Sequence, residues 1–156
     1  MSHSSHATYF ETQVGTATPQ KLRLMLIDGA LRHARLTYER WRDGGPAEQA
    51  FESLVRARDI VGELVAGIRA DASPLAAQVN NLYVYLFSAL TEAQQTRDQT
   101  LLAGVIRVLE EDRETWWLLC EQLGDRPAPE ASAALAPQEE LAPAIVAEPD
   151  AFSIDA

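Results

Sequence analysis

An all-α fold, an antiparallel up-down four-helix bundle, is predicted for this 156-residue sequence by three observations. Four stretches of similar length carry apolar residues three and four positions apart, the pattern of one buried helix face. Between them stand Asp43-Gly44-Gly45, Asp71-Ala-Ser-Pro74 and the polar run Gln94–Asp98, which end one helix and start the next. No segment alternates apolar and polar residues as a half-buried strand does. Short turns between matched helices favour antiparallel neighbours. A chain of this length with 47% hydrophobic residues builds one domain with a real core.

The first helix is expected from Pro19 to about Arg42, with Thr18 as its N-cap and proline at the first helical position. Leu22, Met25, Leu26, Gly29, Ala30, His33 and Ala34 make one stripe, read here as the core face. Leu24, Ile27 and Leu31 lie on roughly the opposite side at about 100° per residue. A helix apolar nearly all round needs cover on both sides, so the second stripe calls for another part of the chain or a partner.

Pro46 is expected to open the second helix, with Ala47, Phe51, Leu54, Val61, Val65 and Ile68 inward and Ile60 about 110° off that face. Ser73 caps and Pro74 opens the third, which turns Leu75, Val79, Leu82, Tyr83, Leu86, Leu90 and Ala93 inward and leaves Val84 and Phe87 off the face. Asp98 caps the fourth. Its inner residues are Leu101, Leu102, Val105, Leu109, Trp116, Leu119 and Leu123, and Gly124 ends it.

The expected organisation is a mobile segment over 1–17, the bundle over 18–124 and a disordered acidic tail over 125–156. Residues 1–17 lack any period, although they contain Tyr9, Phe10 and Val14. The tail is rich in alanine, glutamate and proline, a composition that opposes long helices and collapse. Leu135, Leu141, Ile145, Val146, Phe152 and Ile154 keep it from being purely polar.

Charge and composition exclude several functions. The formal charge of −10 argues against a nucleic-acid surface, and −6 of it comes from Gly124–Ala156. No apolar run is long enough to span a membrane, and the first residues lack a signal-peptide pattern. Cys120, the only cysteine, cannot form an intrachain disulfide; a soluble cytoplasmic chain is expected. His3 and His6 fall in the loose terminus, His33 stands alone, and the Glu-x-x-His pairs of bundle di-metal sites are absent. Cys120 reads as a small hydrophobe, and Glu110-Glu111-Asp112 as a solvated face. No catalytic residue, metal or cofactor is expected.

What remains is apolar surface beyond the needs of the core. Leu24, Ile27, Leu31, Ile60, Val84 and Phe87 are the candidates for a groove that receives a partner helix. Dimerisation through the same strip, or binding of a different amphipathic helix, is the alternative.

Tyr9 and Val14, Thr16-Ala-Thr-Pro-Gln-Lys-Leu22 and Met25-Leu-Ile-Asp-Gly-Ala30 resemble the opening of the flagellar secretion chaperones, the FliS family. Ala57-Arg-Asp-Ile-Val-Gly-Glu-Leu64, Asn81-Leu-Tyr-Val-Tyr-Leu86 and Arg113-Glu-Thr-Trp116 follow in order, so the likeness runs from about Tyr9 to Leu123. The matching positions include Pro19, Leu22, Leu26, Asp28, Gly29, Tyr83 and Trp116. Ile27 and Val84 depart from the family's usual tyrosine and aspartate, and the acidic tail is longer than is typical. The resemblance implies a cytoplasmic bundle that binds the disordered C-terminal segment of flagellin, prevents early polymerisation and helps deliver the subunit to the flagellar export gate. It also implies that the N-terminal segment, here Tyr9, Phe10 and Val14, is a displaceable cover. A monomer is expected, with a weak homodimer as the alternative.

Overall fold

The computed structural model describes residues 17–126. They form α1 (Pro19–Asp43), α2 (Ala47–Ala66), α3 (Pro74–Thr96) and α4 (Gln99–Leu123), with no strand among the described residues. Each helix packs on its neighbours in sequence, and α4 also returns to α1, so the ring closes as an up-down bundle. Tyr9, Phe10 and Val14 lie outside the described residues, as does the segment from 127 onward. Asp125 and Arg126, the start of the expected tail, fold back on α1. Lys21 Nζ donates to Asp125 at 2.7 Å, and Gln20 Nε2 donates to the Arg126 carbonyl at 2.7 Å.

The helix ends follow local chemistry. Thr18 accepts from the Lys21 N–H, Ser73 from the Ala76 N–H and Asp98 from the Leu101 N–H, at 3.3, 3.0 and 3.1 Å. Each bond satisfies a donor that the helix itself cannot. Gly44 ends α1 at φ +70°, where its N–H reaches the Arg40 carbonyl and a side chain would crowd the backbone. Two boundaries differ from expectation. Pro46 takes the cap position of α2 without a side-chain bond, so the helix begins at Ala47. The polar run after Ala93 does not break α3, which continues to Thr96 before Arg97 turns left-handed at φ 54°.

The largest correction concerns α1. Its buried residues are Gln20, Arg23, Ile27, Ala30, Leu31, Ala34 and Thr37, a sound three-four ridge. Ile27 and Leu31, expected off the core, are 0% and 2% exposed and sit at its centre. Leu24 is half-buried against them. Leu22, Met25 and Gly29, expected inside, are half-exposed instead. Of the stripe expected inside, Ala30 and Ala34 are fully buried and Leu26 packs on the core, so the inward face combines part of each stripe.

Polarity hid the true ridge. Gln20, Arg23 and Thr37 interrupt it in sequence, yet each meets a tertiary partner inside the bundle. Gln20 binds the Arg126 carbonyl, and Thr37 shares a 2.8 Å hydrogen bond with Ser53 of α2. Phe51 and Leu75 are also corrected, because both are exposed rather than inward. In α2 the inward place beside Phe51 belongs to Ala50. Small Ala30, Ala34, Ala50 and Ala57 are all buried on α1 and α2, the most extensively packed pair, and small side chains allow close approach of two helices.

Gly104 lies within α4, and no atom would crowd a Cβ there. Gly104→Ala is expected to add about 0.5–1 kcal/mol by restricting the unfolded chain. A thermal melt should show the midpoint rising by a few degrees, and a fall would contradict the open surroundings of this position.

Candidate functional site

The six residues expected to line one groove do not converge. Ile27 and Leu31 belong to the core, with Leu24 packed against it. Ile60 is half-buried toward α1, its Cδ1 3.3 Å from where a Gly29 Cβ would stand. Val84 and Phe87 remain at the surface, 45% and 37% exposed, one helical turn apart on the flank of α3 that faces α2.

Phe87 packs at the edge of α2. The Phe87 ring lies against Gly62 of α2, with Cε2 3.5 Å from the position of an added Cβ. Arg58 places its guanidinium 6.0 Å from the Phe87 centroid and donates to Gln94 Oε1 at 2.8 Å. Gln94 then lines a cleft of about 340 Å³ with Phe51, Leu54, Trp41, Ala47, Glu48 and Arg97. Phe51 is 53% exposed. Phe87 and the Phe51 cleft thus lie on the α2–α3 side of the bundle, joined by the Arg58–Gln94 hydrogen bond and bordered by Arg58 and Arg97. Long arginine stems cover apolar surface while their heads stay in water. A larger open cleft of about 630 Å³ between α1 and α4 is lined mainly by charge, from Asp28, Arg32, Arg35, Glu39 and Arg113.

The sequence reading missed one buried group. Arg23 is almost fully buried, with its Cζ 5.2 Å from the ring centroids of both Tyr83 and Trp116. Tyr83 is wholly buried and donates its hydroxyl to Asp112 at 2.7 Å. Burial raises the Asp112 pKa, opposed by the Tyr83 hydrogen bond and the nearby Arg23 charge. Burial likewise pushes the Tyr83 phenol well above its usual range. This cluster ties α1, α3 and α4 together. Of the other motif positions, Pro19 opens α1, Leu22 is half-exposed, Leu26 packs on the core and Asp28 accepts a short bond from Arg113. The signal for the cluster was the coincidence of an interrupting Arg23 with Tyr83 and Trp116 on inward faces.

Little in the arrangement favours bond-making chemistry. Among the described residues no group of three or more His, Cys, Asp or Glu is placed to hold a metal. No described helix is long and apolar enough to cross a membrane. Burial raises the Cys120 thiol pKa, which lowers its reactive thiolate fraction.

His33 is held below its ordinary value of 6.5, first by burial and then by Arg32, Arg56 and Arg40. A depressed histidine means that the unfolded chain takes the proton first as pH falls. The stability it confers is therefore present above 6.5 and is lost as pH drops through the window below it. His33→Gln should flatten that decline. Melting midpoints compared between about pH 7.5 and 5.5 should fall further for the wild type than for the variant. Parallel curves would show that His33 is not depressed.

A family model described as "Flagellar protein FliS" matches residues 1–123. The chain is also similar to the flagellar secretion chaperone FliS of Bacillus subtilis (strain 168). The two are 30% identical over 111 residues, covering 71% of this chain and 82% of that protein.

Proposed function

Because this chain belongs to the FliS family, a family of flagellar secretion chaperones, we propose that its client is flagellin and that it holds the flagellin C-terminal segment. The observation that carries this reading is the exposed strip of Phe51, Phe87 and Val84 along α2 and α3. Large apolar side chains left exposed on one side of a bundle are candidates for a binding surface. A terminal segment that polymerises through helix packing is held back by a surface that competes for the same apolar face. In helix-in-groove recognition the client supplies anchors at i, i+3, i+4 and i+7 and the chaperone supplies the apolar surface that receives them.

In this reading the chain acts in the cytoplasm as a monomer and hands its client to the flagellar export gate. Tyr9, Phe10 and Val14 cover part of the client surface until the client displaces them. Such a cover lowers net affinity without altering any client contact and keeps release feasible.

Titration calorimetry of the full chain with the flagellin C-terminal segment tests the reading. The expected result is saturable one-to-one binding with a negative heat-capacity change, the mark of apolar burial. Absence of binding at two temperatures would remove it. Molecular mass measured at several concentrations separates it from dimerisation through the same strip, which predicts a mass that grows with concentration.

A further inference from the structure

Among the described residues Arg97 alone, apart from glycines, has a positive φ, 54°. It closes α3 as a left-handed cap, its N–H donating to the Ala93 carbonyl at 2.8 Å. Glycine, and after it asparagine, is the usual residue at such a cap, because a Cβ crowds the backbone there. An arginine in that place holds strain that glycine would remove, and strain of this kind gathers at ligand clamps. The side chain therefore has a role that glycine cannot fill.

One contact is visible. The guanidinium carbon stands 5.9 Å from the Trp41 ring centroid, at the end of the bundle where α1 and α3 finish and α2 begins. A cation–π contact at an exposed site is weaker than left-handed strain, so Trp41 alone does not offset the backbone. Arg97 forms no ion pair among the described residues. It stands instead on the lip of the cleft of about 340 Å³ between α2 and α3. Leu54, 1% exposed, lines the base of that cleft, with Trp41 and the exposed Phe51 beside it. Glu48, on α2, is the other charged lining group, and it makes no ion pair with Arg97.

The volume is at the low end for a small-molecule pocket, and the cleft does not stand alone. Gln94, which lines it, accepts from Arg58, and Arg58 lies over Phe87. An occupant that fits both places is a peptide, with one side chain in the cleft and its chain continuing toward Phe87. A large apolar anchor seated in a pocket is the usual energetic centre of such a contact.

We propose that the Trp41–Phe51 cleft receives one large apolar side chain of the flagellin segment, and that Arg97 pairs with a carboxylate adjoining it in that segment. The inference rests on the flagellin reading and adds a recognition rule to it, an apolar residue with an acid beside it. Glu48 repels an acid on the α2 side, so the two charges together fix the direction in which the segment lies.

The test is titration calorimetry of the full chain with the flagellin C-terminal segment at about 0.05 and 0.5 M salt, beside thermal melts. Arg97→Gly should weaken binding at low salt by up to about 5-fold, the most that an exposed ion pair provides, and should match the wild type at high salt. Its melting midpoint should hold or rise, because the left-handed strain is gone. Arg97→Lys, which keeps the charge, should keep the salt-sensitive part. Phe51→Ser should weaken binding by about 10-fold at both salt concentrations. Loss of affinity in only one of Arg97→Gly and Phe51→Ser overturns the proposal. So does a loss in Arg97→Gly that salt leaves in place, accompanied by a lower midpoint, which would make Arg97 a staple on Trp41. Wild-type affinity in both variants overturns it while the flagellin reading stands, and a wild-type chain that does not bind overturns both.

Discussion

Ile27→Ala/Leu31→Ala is expected to abolish the cooperative melt of this protein. Both side chains are central to the bundle, and truncating a buried Leu or Ile to Ala costs about 2–5 kcal/mol. One turn apart, they share a cavity, so their losses need not add simply. Even so, the sum is comparable with the whole stability of a domain, about 5–15 kcal/mol. Circular dichroism should show a broad, non-cooperative loss of helix. Leu22→Ala/Met25→Ala, on the half-exposed stripe of the same helix, should cost far less and keep a sharp transition. If the two pairs behaved alike, the inward face of α1 would be wrongly placed.

The second large effect is on binding. Val84→Ser/Phe87→Ser should weaken capture of the flagellin segment by about 10- to 100-fold, the equivalent of about 1.4–2.8 kcal/mol. Val84 is 45% exposed and Phe87, partly covered by Arg58 and Gly62, 37%, so the melting midpoint should fall by less than for the core pair. Phe87 also lies under Arg58 and against Gly62, and Phe87→Leu keeps the latter contact. That variant should retain most of the affinity. Unchanged calorimetric affinity in the double serine variant would place the client elsewhere on the bundle.

The fold was legible because its punctuation is strong. Thr18, Ser73 and Asp98 cap the helices that the sequence assigns to them, and Gly44 stops α1 where a glycine stop is expected. The surface was far less legible, for a physical reason. On α1 two apolar stripes compete, and hydrophobicity alone favours the one without polar interruptions. The structure turns Ile27 and Leu31 inward alongside the expected Ala30 and Ala34, because Gln20, Thr37 and Arg23 find partners or aromatic faces inside. Polar burial of that kind depends on residues far away in sequence, which no local period records. Phe51 shows the same limit, since only the packing of α1 on α2 decides that Ala50 turns inward and the ring beside it stays outside. Val84 and Phe87 were placed at the surface by periodicity alone, because no polar partner competes there.

Arg23 gives the bundle two unequal ends. A guanidinium wedged between Tyr83 and Trp116 cannot leave without dragging a charge past two rings, and beside it Gln20 and Lys21 clasp the departing chain. The opposite end has the Trp41–Phe51 cleft and two short turns. Local opening is therefore expected to cost more at the Arg23 end than at the Trp41–Phe51 end, a difference that amide hydrogen exchange reads directly.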